Sequence, residues 1–339
     1  MKPSPPIPPF VVVFDMVLAQ WTSAAICAAA KLGIADQLES GPKNTRELAS
    51  ALNLHEDSLY RVLRALAGLG IFHEGANRMF SQTPLSDVLR TNAKPSLRYA
   101  AAMMIDDFQY RSFQGICTTI ENGRPAVANV LGAGLFEYLG AHPDEAFNFN
   151  RGMSDMSSGE APAVVGTYDF SGFQHIVDVA GGAGGLLAAI LGAAPRLRGT
   201  LFDQPSVIEQ ANKDGLLTPF GDRSELVSGS FFEAVPAGAD AYIMKHINHD
   251  WDDERSRQIL TNCRRAIKPN GKLLVVDRVI GPPNAPDPKK FFDVAMMLMP
   301  GGRERTEEEW NALYAASGFR VTRILPTPAP DSIIEGMPV

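Results

Sequence analysis

The sequence predicts an α/β protein in which a mostly helical N-terminal domain precedes an open, largely parallel β-sheet. From Phe14 to about Leu89, apolar residues recur at three- and four-residue steps, which is typical of helices. From Phe173 onward, short apolar segments rich in β-branched residues alternate with helical segments, which favours a parallel sheet with helices on both faces. The chain has 339 residues, which is long for a single core, so two domains are expected.

The composition and charge are those of an ordinary soluble globular protein. The chain is 45% apolar and 20% charged, which argues against extensive disorder. Its net charge of −7 gives no general attraction to nucleic acid or to anionic lipid. Three scattered cysteines, Cys27, Cys117 and Cys263, form neither a disulfide framework nor a zinc-ligand spacing, so we expect a reducing, cytoplasmic environment.

The N-terminal stretch "MKPSPPIPPFVVVFDMVLAQW" holds an apolar run that Asp15 interrupts. A secretory signal peptide needs an uninterrupted apolar core and a small-residue cleavage site, so this stretch does not fit one. No window offers the roughly 20 uncharged apolar residues that a membrane-spanning helix needs. The sequence therefore predicts no association with a membrane.

The segment that follows has the outline of a winged helix. "NTRELASAL" and "SLYRVLRALAGLG" predict two helices, the first capped near Thr45, and "IFHEGANRMFSQT" predicts a small hairpin around Gly75. One interpretation is a ligand-sensing DNA-binding regulator, because Arg61 and Arg64 lie on the second helix. Acidic residues flank that helix, however, and the basic surface expected of a DNA-binding protein is missing. A packing and dimerisation module is therefore favoured.

The middle of the chain, residues 96–163, is predicted to be helical and aromatic. Methionines and aromatics at helical spacing are usually core residues, but they can also line a pocket for a flat apolar ligand, and the sequence leaves both interpretations open. The substrate-binding candidates are Met103, Phe108, Met153, Met156, Met297 and Met299. We place the N-terminal domain at residues 1–100, and a helical connector with the α/β domain at residues 101–339.

A glycine-rich turn follows the first strand of the α/β domain, in "VDVAGGAGGLLAAI". Gly181, Gly182 and Gly184 allow a tight turn in which backbone N–H groups approach a ligand at the start of the next helix. About 20 residues further on, "GTLFDQPS" places Asp203 where an acid can bind ribose hydroxyls. This combination predicts an adenosine-containing cofactor. A nicotinamide dinucleotide fits less well, because the third small position of its fingerprint falls on Leu187.

The stretch "MKHINHDWDDERSRQIL" places His249 where a strand ends and an amphipathic helix begins. Acids in the first turn of a helix interact favourably with its dipole, and a histidine there can simply be a cap or a surface residue. The alternative is a general base at the carboxyl edge of the sheet, where open α/β folds bind ligands. His246 is expected to lie inside the strand and to be packed. The stretch "GGRERTEEEW" places Glu304 before a helix that Thr306 is expected to cap, and no metal-ligand spacing is found.

Five stretches carry a resemblance to a known family: "VDVAGGAGG", "LFDQPSVI", "SGSFFEAVPAGADAYIMKHINHDWDDE", "RAIKPNGKLLVVDRVI" and "GGRERTEEEWNALYAASGF". In this order they resemble the S-adenosylmethionine-dependent small-molecule O-methyltransferases of the caffeate and antibiotic-tailoring type, over nearly the whole chain. The resemblance implies a Rossmann-like class I methyltransferase sheet with an N-terminal winged-helix dimerisation domain. It also implies a homodimer, an aromatic small-molecule substrate, and no nucleic acid, membrane or metal as a partner.

The resemblance further implies roles for individual residues. The cofactor would be bound by Ala180, Gly181, Gly182, Asp203, Ser230, Phe231 and Lys245. His249 would be the general base for a phenolic hydroxyl, with Asp277 and Glu304 holding its ring. The chain departs from the family pattern at three of these positions, with Ala180 for a glycine, Ser230 for an aspartate and Asp277 for a glutamate. Methylation of nitrogen or carbon, or a reaction without methyl transfer, is the alternative on the same fold.

Overall fold

A computed structural model describes residues 7–157 and 159–339. The chain forms two compact units, one comprising Met1–Arg111 and Phe136–Ser158, the other Ser112–Leu135 and Gly159–Val339. The helical segment that we predicted as a connector is therefore divided between the two units. Each unit has its own buried apolar core.

The N-terminal half of the described chain is mainly helical. Its first elements are α1 (Pro9–Lys31), α2 (Ile34–Gln37), β1 (Lys43–Asn44), α3 (Thr45–Leu52), α4 (Glu56–Gly68), β2 (Phe72–Glu74), β3 (Met79–Gln82), α5 (Pro84–Asp87) and α6 (Arg98–Met103). They are followed by α7 (Asp107–Gln114), α8 (Ile116–Asn122), α9 (Ala126–Leu131), α10 (Leu135–Ala141), α11 (Pro143–Ser157) and α12 (Glu160–Thr167). The helical pattern predicted for residues 96–163 is confirmed.

The order helix, turn, helix and hairpin predicted for the N-terminal unit is also confirmed. Strands β2 and β3 pair antiparallel, and β1 adds a third strand beside β3. Helix α3 begins with a reciprocal capping box, in which the Asn44 side chain accepts a hydrogen bond from the Glu47 N–H and the Glu47 carboxylate accepts one from the Asn44 N–H. The cap is thus Asn44 rather than Thr45, which is the first residue of the helix. Leu63 and Phe80 are fully buried in the core of this unit.

Helix α1 contradicts one expectation from the sequence. Among the described residues it alone is long and apolar enough to cross a bilayer, judged by length and composition only, and little of it is buried inside the protein. The expectation that no window is apolar enough was therefore wrong. A single acid, Asp15, in the middle of the run does not outweigh the apolar residues around it.

The second unit is built on a sheet that contains seven strands in the part of the chain described. They are β4 (His175–Val179), β5 (Arg198–Asp203), β6 (Ser224–Ser228), β7 (Ala241–Lys245), β8 (Lys272–Asp277), β11 (Phe319–Pro326) and β12 (Ser332–Pro338). A separate parallel pair consists of β9 (Val279–Ile280) and β10 (Arg305–Thr306). The helices are α13 (Gly185–Ala193), α14 (Pro205–Asp214), α15 (Asp253–Ala266), α16 (Lys289–Leu298) and α17 (Glu307–Ala316).

The strand order in this sheet is β11-β12-β8-β7-β4-β5-β6. Strands β4 to β8 are parallel, whereas β11 and β12 form the antiparallel hairpin expected at the end of the chain. Successive residues of a strand point to opposite faces, so Ile176 packs in the core that contains α13 and Val177 in the core that contains α15. The carboxyl ends of β4, β5, β7 and β8 consequently lie along one edge of the sheet.

Strand β7 ends one residue earlier than expected. Lys245 is its last residue, and His246 follows it with a φ of 57°, in the left-handed region. The expectation that His246 lies inside the strand is wrong, although its N–H still donates a hydrogen bond to the Val276 carbonyl at 3.0 Å. The backbone therefore turns sharply at the point where the sheet edge begins.

Removing side-chain volume from the sheet-facing side of α13 should destabilise the second unit. Leu191 is completely buried, so Leu191→Ala should lower the free energy of unfolding by about 2–5 kcal/mol through lost burial and a residual cavity. Leu216→Ala is the matched control, because Leu216 is 48% exposed and the same change should cost less than about 1 kcal/mol. Urea denaturation followed by circular dichroism measures both, and equal costs would contradict the packing described.

Candidate active site

His249 lies in a short turn between β7 and α15. The turn, Asn248–Asp250, is a single 3₁₀ turn, and only 5% of His249 is exposed. Helix α15 begins after Asp252, whose side chain accepts a hydrogen bond from the Arg255 N–H at 2.8 Å. The acidic run after His249 therefore does serve as a helix start, while the histidine itself is buried at the sheet edge.

Two carboxylates face Nδ1 of the His249 ring. Glu304 Oε1 lies 3.0 Å from Nδ1 in hydrogen-bonding geometry, and Asp277 Oδ1 lies 3.2 Å from the same atom. Both acids are buried, Asp277 at the end of β8 and Glu304 just before β10. A single Nδ1–H is directed at one acceptor, so Glu304 binds it and Asp277 contributes mainly through its charge. Asp277 reaches the ring although it is one methylene shorter than the glutamate common at this position.

The surroundings change the pKa of each group in this trio. Burial opposes the charged imidazolium, but Asp277, Glu304 and Asp250 outweigh it and raise the pKa of His249 to about 9. Burial, with Glu304 and Asp331 nearby, raises the pKa of Asp277 to about 7. Burial also opposes ionisation of Glu304, yet contacts with His249 and Arg278 are stronger and lower the pKa of this carboxyl. Glu304 is thus the ionised partner of the ring.

The other ring nitrogen, Nε2, has a different environment. Its nearest described acid is Asp250, whose Oδ1 lies 3.6 Å away, beyond hydrogen-bonding distance. Burial raises the pKa of Asp250, and the neighbouring His249 partly offsets this. Because Glu304 holds the proton on Nδ1, the lone pair of a neutral ring is on Nε2. Nε2 is therefore the atom that can accept a proton from a substrate.

Arg305 fixes the turn that carries His249. Its guanidinium is completely buried and donates to the carbonyl oxygens of Asn248 and Trp251, at 2.9 and 3.0 Å, and to the Ser256 hydroxyl at 3.1 Å. The preceding loop also lies against this turn, because the Arg303 N–H donates to the His249 carbonyl at 2.9 Å. Segments that lie far apart in the sequence are thereby held in one geometry around the ring.

Gly302 allows the close approach of these two segments. A Cβ atom at this position would overlap the backbone from His249 to Trp251. Glycine is therefore required here by space, although its φ is not in the left-handed region.

A second buried cluster lies directly beside the first. The rings of His246 and His249 stack, with centroids 5.1 Å apart. His246 Nε2 lies 3.0 Å from Asp331 Oδ1, and Lys245 Nζ lies 2.6 Å from Glu160 Oε2. Burial, reinforced by the charge of Lys245, lowers the pKa of His246 well below its usual value. His246 is thus a largely buried, neutral ring, in agreement with the expectation that it is packed.

Sequence spacing indicated no metal-ligand cluster, but the fold brings two groups of three potential ligands together among the described residues. They are Glu160, His246 and Asp331, and His249, Asp277 and Glu304. Each group already has a cationic neighbour, since Lys245 pairs with Glu160 and Arg278 with Glu304 at 3.2 Å. One carboxylate of each group is therefore paired with a cationic side chain of the chain itself.

The glycine loop follows β4 as the sequence predicts. Ala180 has a φ of 55° and Gly182 a φ of 61°, so the chain turns through two left-handed residues. For an alanine this conformation costs on the order of 1 kcal/mol, which is the physical consequence of replacing the glycine common at this position. Asp203 ends β5 beside the loop and accepts hydrogen bonds from the Gly182 and Gln204 N–H groups, at 3.0 and 2.7 Å.

Asp178 is a further acid at this loop. It is 1% exposed, and within the described parts of the chain the Leu187 N–H is directed toward it without either oxygen being in full hydrogen-bonding geometry. Burial raises its pKa to about 7, although the charge of Lys245 acts in the opposite direction. The carboxylate lies against Gly181, so closely that a Cβ on residue 181 would meet it. A carboxylate without a fully formed hydrogen bond in this position suits a cationic or hydrogen-donating ligand group.

Ser230 and Phe231 lie in the loop after β6, at the same edge of the sheet. The Ser230 hydroxyl accepts a hydrogen bond from the Phe232 N–H at 3.3 Å. Phe231 makes an edge-to-face contact with Trp251, with ring centroids 6.3 Å apart. The loop is thereby packed against the turn that follows His249.

The predicted substrate-binding residues lie in both units. Met103, Phe108, Met153 and Met156 belong to the first unit, and Met297 and Met299 to the second. Three of the six, Met103, Phe108 and Met299, are buried. Phe108 makes an edge-to-face contact with Phe149 at 5.8 Å, which is also what a core residue would do.

Comparison with known proteins decides the family. Residues 113–320 match the O-methyltransferase domain, and residues 14–92 match the O-methyltransferase dimerisation domain. The chain belongs to the O-methyltransferase family. The resemblance drawn from the five sequence stretches is thus confirmed, as are the fold class and an S-adenosylmethionine-dependent enzyme.

Several relatives cover almost the whole of this methyltransferase. A phenazine O-methyltransferase of Lysobacter antibioticus is 40% identical over 98% of this chain and 97% of its own, and a mitomycin biosynthesis 6-O-methyltransferase of Streptomyces lavendulae is 38% identical over 95% and 93%. A phenazine-1-carboxylate N-methyltransferase of Pseudomonas aeruginosa is 31% identical over 93% of both chains. The structure of an O-methyltransferase of neocarzinostatin biosynthesis, with S-adenosylmethionine and 2-hydroxy-5-methyl naphthoic acid, has a TM-score of 0.80, 32% identity and coverages of 94% and 96%.

The residues of the chain fit S-adenosylmethionine, which is its cofactor. The cofactor has ribose hydroxyls that donate hydrogen bonds and an ammonium group that carries positive charge. Asp203 offers acceptor oxygens beside the glycine loop, and the buried oxygens of Asp178 lack a fully formed hydrogen bond among the described residues. The acceptors on this edge of the sheet therefore match the donors of the cofactor.

Sequence reasoning missed several residues of this site. Arg278 and Arg305 directly follow Asp277 and Glu304 in the sequence, and Asp178 lies two residues before the glycine loop. The available hint was an arginine directly after each acid, because a buried carboxylate needs a partner, but surface arginines occur in the same sequence context. Glu160 and Asp331 gave no such signal, since nothing near them in the sequence points to the site.

The contact between Gly302 and the His249 turn generates a prediction. In Gly302→Ala, the added methyl should push the turn away from Glu304, and kcat/KM for methyl transfer should fall about 100-fold or more. Gly134→Ala is the control, because a Cβ at Gly134 meets no atom within 4 Å and its activity should stay within about twofold of the native enzyme. Initial rates and melting temperatures of both variants check this. A folded Gly302→Ala enzyme with native activity would contradict the close approach.

Proposed function

We propose that this enzyme methylates a phenolic hydroxyl of an aromatic small molecule, with Nε2 of His249 as the general base. The observation that carries the proposal is the contact between Nδ1 of His249 and the ionised Glu304 carboxylate. It fixes the tautomer and stabilises the imidazolium that forms when the ring takes a proton. A surface histidine or a helix cap would need no such buried arrangement.

S-adenosylmethionine supplies a methyl group on a positively charged sulfur, which is open to attack by an oxygen in line with the methyl–sulfur bond. Asp203 and the glycine loop would hold its ribose and methionine ends, and Asp178 would accept from its ammonium group. Lys245, Ser230 and Phe231 would complete the binding surface. His249 would remove the hydroxyl proton as the oxygen attacks, and Glu304 would keep the ring oriented.

The proton affinity of His249 suits a phenol. A phenol has a pKa near about 10, and the pKa of His249 is about 9, so the proton passes between groups of similar affinity. At pH 7 only about 1% of such a ring is neutral, because the pH is two units below its pKa. The neutral fraction, and with it the rate, should therefore increase as the pH rises toward 9.

The relatives support an aromatic acceptor, and they include both oxygen and nitrogen methyltransferases. Two relatives are named for phenazine substrates, one as an O- and one as an N-methyltransferase, and the neocarzinostatin enzyme was solved with a naphthoic acid. An amine with a free lone pair needs no general base, whereas a phenol at neutral pH does. Two buried carboxylates directed at His249 therefore favour a hydroxyl over a nitrogen acceptor.

We also infer that the enzyme is a homodimer through its N-terminal unit. Helix α1 exposes a nearly continuous apolar surface, and the match to the dimerisation domain begins inside this helix. The exposed residues are Phe10, Val11, Val12, Val13, Phe14, Met16, Val17 and Trp21. A surface of this kind normally has a partner, and a second copy would cover it.

A cytoplasmic location is supported by the three cysteines, all of which are described and form no disulfide.

Loss of the base gives the first test. S-adenosylhomocysteine formation, measured by mass spectrometry over a panel of phenols and matched aromatic amines, should occur with the phenols. In the native enzyme kcat/KM should rise about tenfold from pH 7 to 8, about fivefold from pH 8 to 9, and then level off. His249→Ala should lower kcat/KM about 100-fold or more and lose this pH dependence.

His73→Ala is the control for the loss of a histidine, because His73 is exposed on β2. It should leave the rate and the pH profile unchanged. Turnover of amines but not phenols, or full activity in His249→Ala, would refute the proposed reaction.

Asp203 generates a prediction about cofactor binding that does not depend on the acceptor. Asp203→Asn removes the charge of a carboxylate that would accept from two ribose hydroxyls, so the Kd for S-adenosylhomocysteine should rise about 10- to 100-fold. Isothermal titration calorimetry measures the change. Asp214→Asn, at an exposed position on α14, should bind as the native enzyme does. An unchanged Kd in Asp203→Asn would place the ribose elsewhere.

A further inference from the structure

Arg278 lies behind the two carboxylates that face His249. It follows Asp277 at the end of β8 and is 5% exposed. Its Nη1 donates to Glu304 Oε1 at 3.2 Å, the same oxygen that contacts Nδ1 of His249. One carboxylate oxygen is therefore shared between the guanidinium and the imidazole ring.

Other contacts fix the position of the Arg278 guanidinium. It lies over the Phe292 ring, with its central carbon 3.8 Å from the ring centroid, which is a favourable cation–π distance. The Arg278 carbonyl accepts a hydrogen bond from the Trp310 indole N–H at 3.4 Å. Asp331 is the second acid near the guanidinium, with its Oδ1 3.9 Å from Nε. The arginine is thus held rigidly beside Glu304 and does not depend on that contact alone.

The charges around His249 come from several elements packed against it. They are Glu160 on α12, Lys245 and His246 at the end of β7, Asp250 in the turn, Asp277 and Arg278 at the end of β8, Asp293 on α16, Arg303 and Glu304 before β10, and Asp331 before β12. Carboxylates outnumber cations in this set. Lys245 pairs with Glu160 at 2.6 Å, whereas Arg278 contacts Glu304, the acid that is hydrogen-bonded to the ring.

We propose that Arg278 is a positioning residue that holds the Glu304 carboxylate against Nδ1 of His249 and balances the negative charge of the acids around the ring. Its catalytic importance rests on the proposed function, in which His249 is the base. Without Arg278, the cluster is more negative by one charge, so every proton in it is held more tightly. The ring then becomes neutral, and able to act as a base, only at a higher pH.

The test uses the full-length enzyme and three substitutions. Arg278→Met removes the charge and should move the acid limb of the kcat/KM profile up by about one pH unit, which lowers the rate at neutral pH about tenfold. Arg278→Lys keeps the charge and should leave the limb within about 0.3 pH units of the native position. The double variant Arg278→Met with Glu304→Gln restores the net charge and should return the limb toward the native position, whereas Glu304→Gln alone should move it down.

Arg223→Met is the control for the loss of an arginine in the same unit. The Arg223 guanidinium donates only to backbone carbonyls in the contacts described, those of Leu191, Ala194 and Leu197, at 3.1–3.2 Å. This variant should lose stability without any shift of the profile. If Arg278→Met proves too unstable to purify, the lysine variant and the double variant decide the question. A merely structural arginine would lower kcat in Arg278→Met and Arg278→Lys without shifting either profile, and the double variant would keep the full downward shift of Glu304→Gln.

Titration of the ring itself separates this inference from the proposed reaction. The chain has six histidines, and the His249 signals in a ¹⁵N-histidine spectrum are those that His249→Ala lacks. With S-adenosylhomocysteine bound, the His249 titration should move up in Arg278→Met and stay in Arg278→Lys. If it moves while no phenol is methylated, the reaction is wrong and the role of Arg278 stands. An unmoved titration in Arg278→Met, or an equal shift in Arg278→Lys, overturns the inference.

Discussion

Burial of several carboxylates at one edge of the sheet is the constraint on which the rest of this structure depends. A carboxylate out of water costs several kcal/mol unless a cation or hydrogen-bond donors compensate it. Asp277 and Glu304 are both buried within 3.2 Å of the His249 ring, and Arg278 supplies the compensating charge. Because each charge stabilises its neighbours, removing one member leaves the others uncompensated. The cluster is therefore fixed as a unit.

The backbone around the cluster is arranged to keep that unit rigid. The left-handed His246 follows the end of β7, Gly302 lets a second segment approach the His249 turn, and Arg305 binds the turn through its carbonyls. In the contacts described, these residues bind other parts of the protein. They hold the ring to a narrow range of positions, and general-base catalysis depends on such placement because a small displacement of the base sharply lowers the rate.

The sequence predicts local features well, but it predicts contacts between distant residues only where they belong to a known family pattern. The alternation of strands and helices, the winged-helix hairpin and the cap at Thr306 follow from turn chemistry and periodicity, and the structure has all three. Two predictions were wrong by one residue: the cap is Asn44 and not Thr45, and His246 lies just outside its strand. Periodicity and composition do not resolve a difference of one residue. The apolar length of α1 was underestimated because one acid was weighted too heavily.

The missed residues share a physical reason. Arg278 contacts an acid 26 residues away and Arg305 a carbonyl 57 residues away, so no local pattern announces either contact. The resemblance pointed to Asp277 and Glu304 and not to the arginines beside them. Burial is the missing quantity, because an arginine on the surface and one that compensates a buried acid have the same sequence context.

The two acids at Nδ1 have different tasks because only one of them is paired with Arg278. Glu304 is ionised and holds the proton on Nδ1, whereas the pKa of Asp277 is about 7, so Asp277 gains a proton just below neutral pH. Protonation of Asp277 removes a negative charge from beside His249 and lowers the affinity of the ring for its own proton. The two groups thus oppose each other as the pH falls. A base whose partners all stayed ionised would be lost steeply with acid, and the protonation of Asp277 near neutral pH moderates that loss.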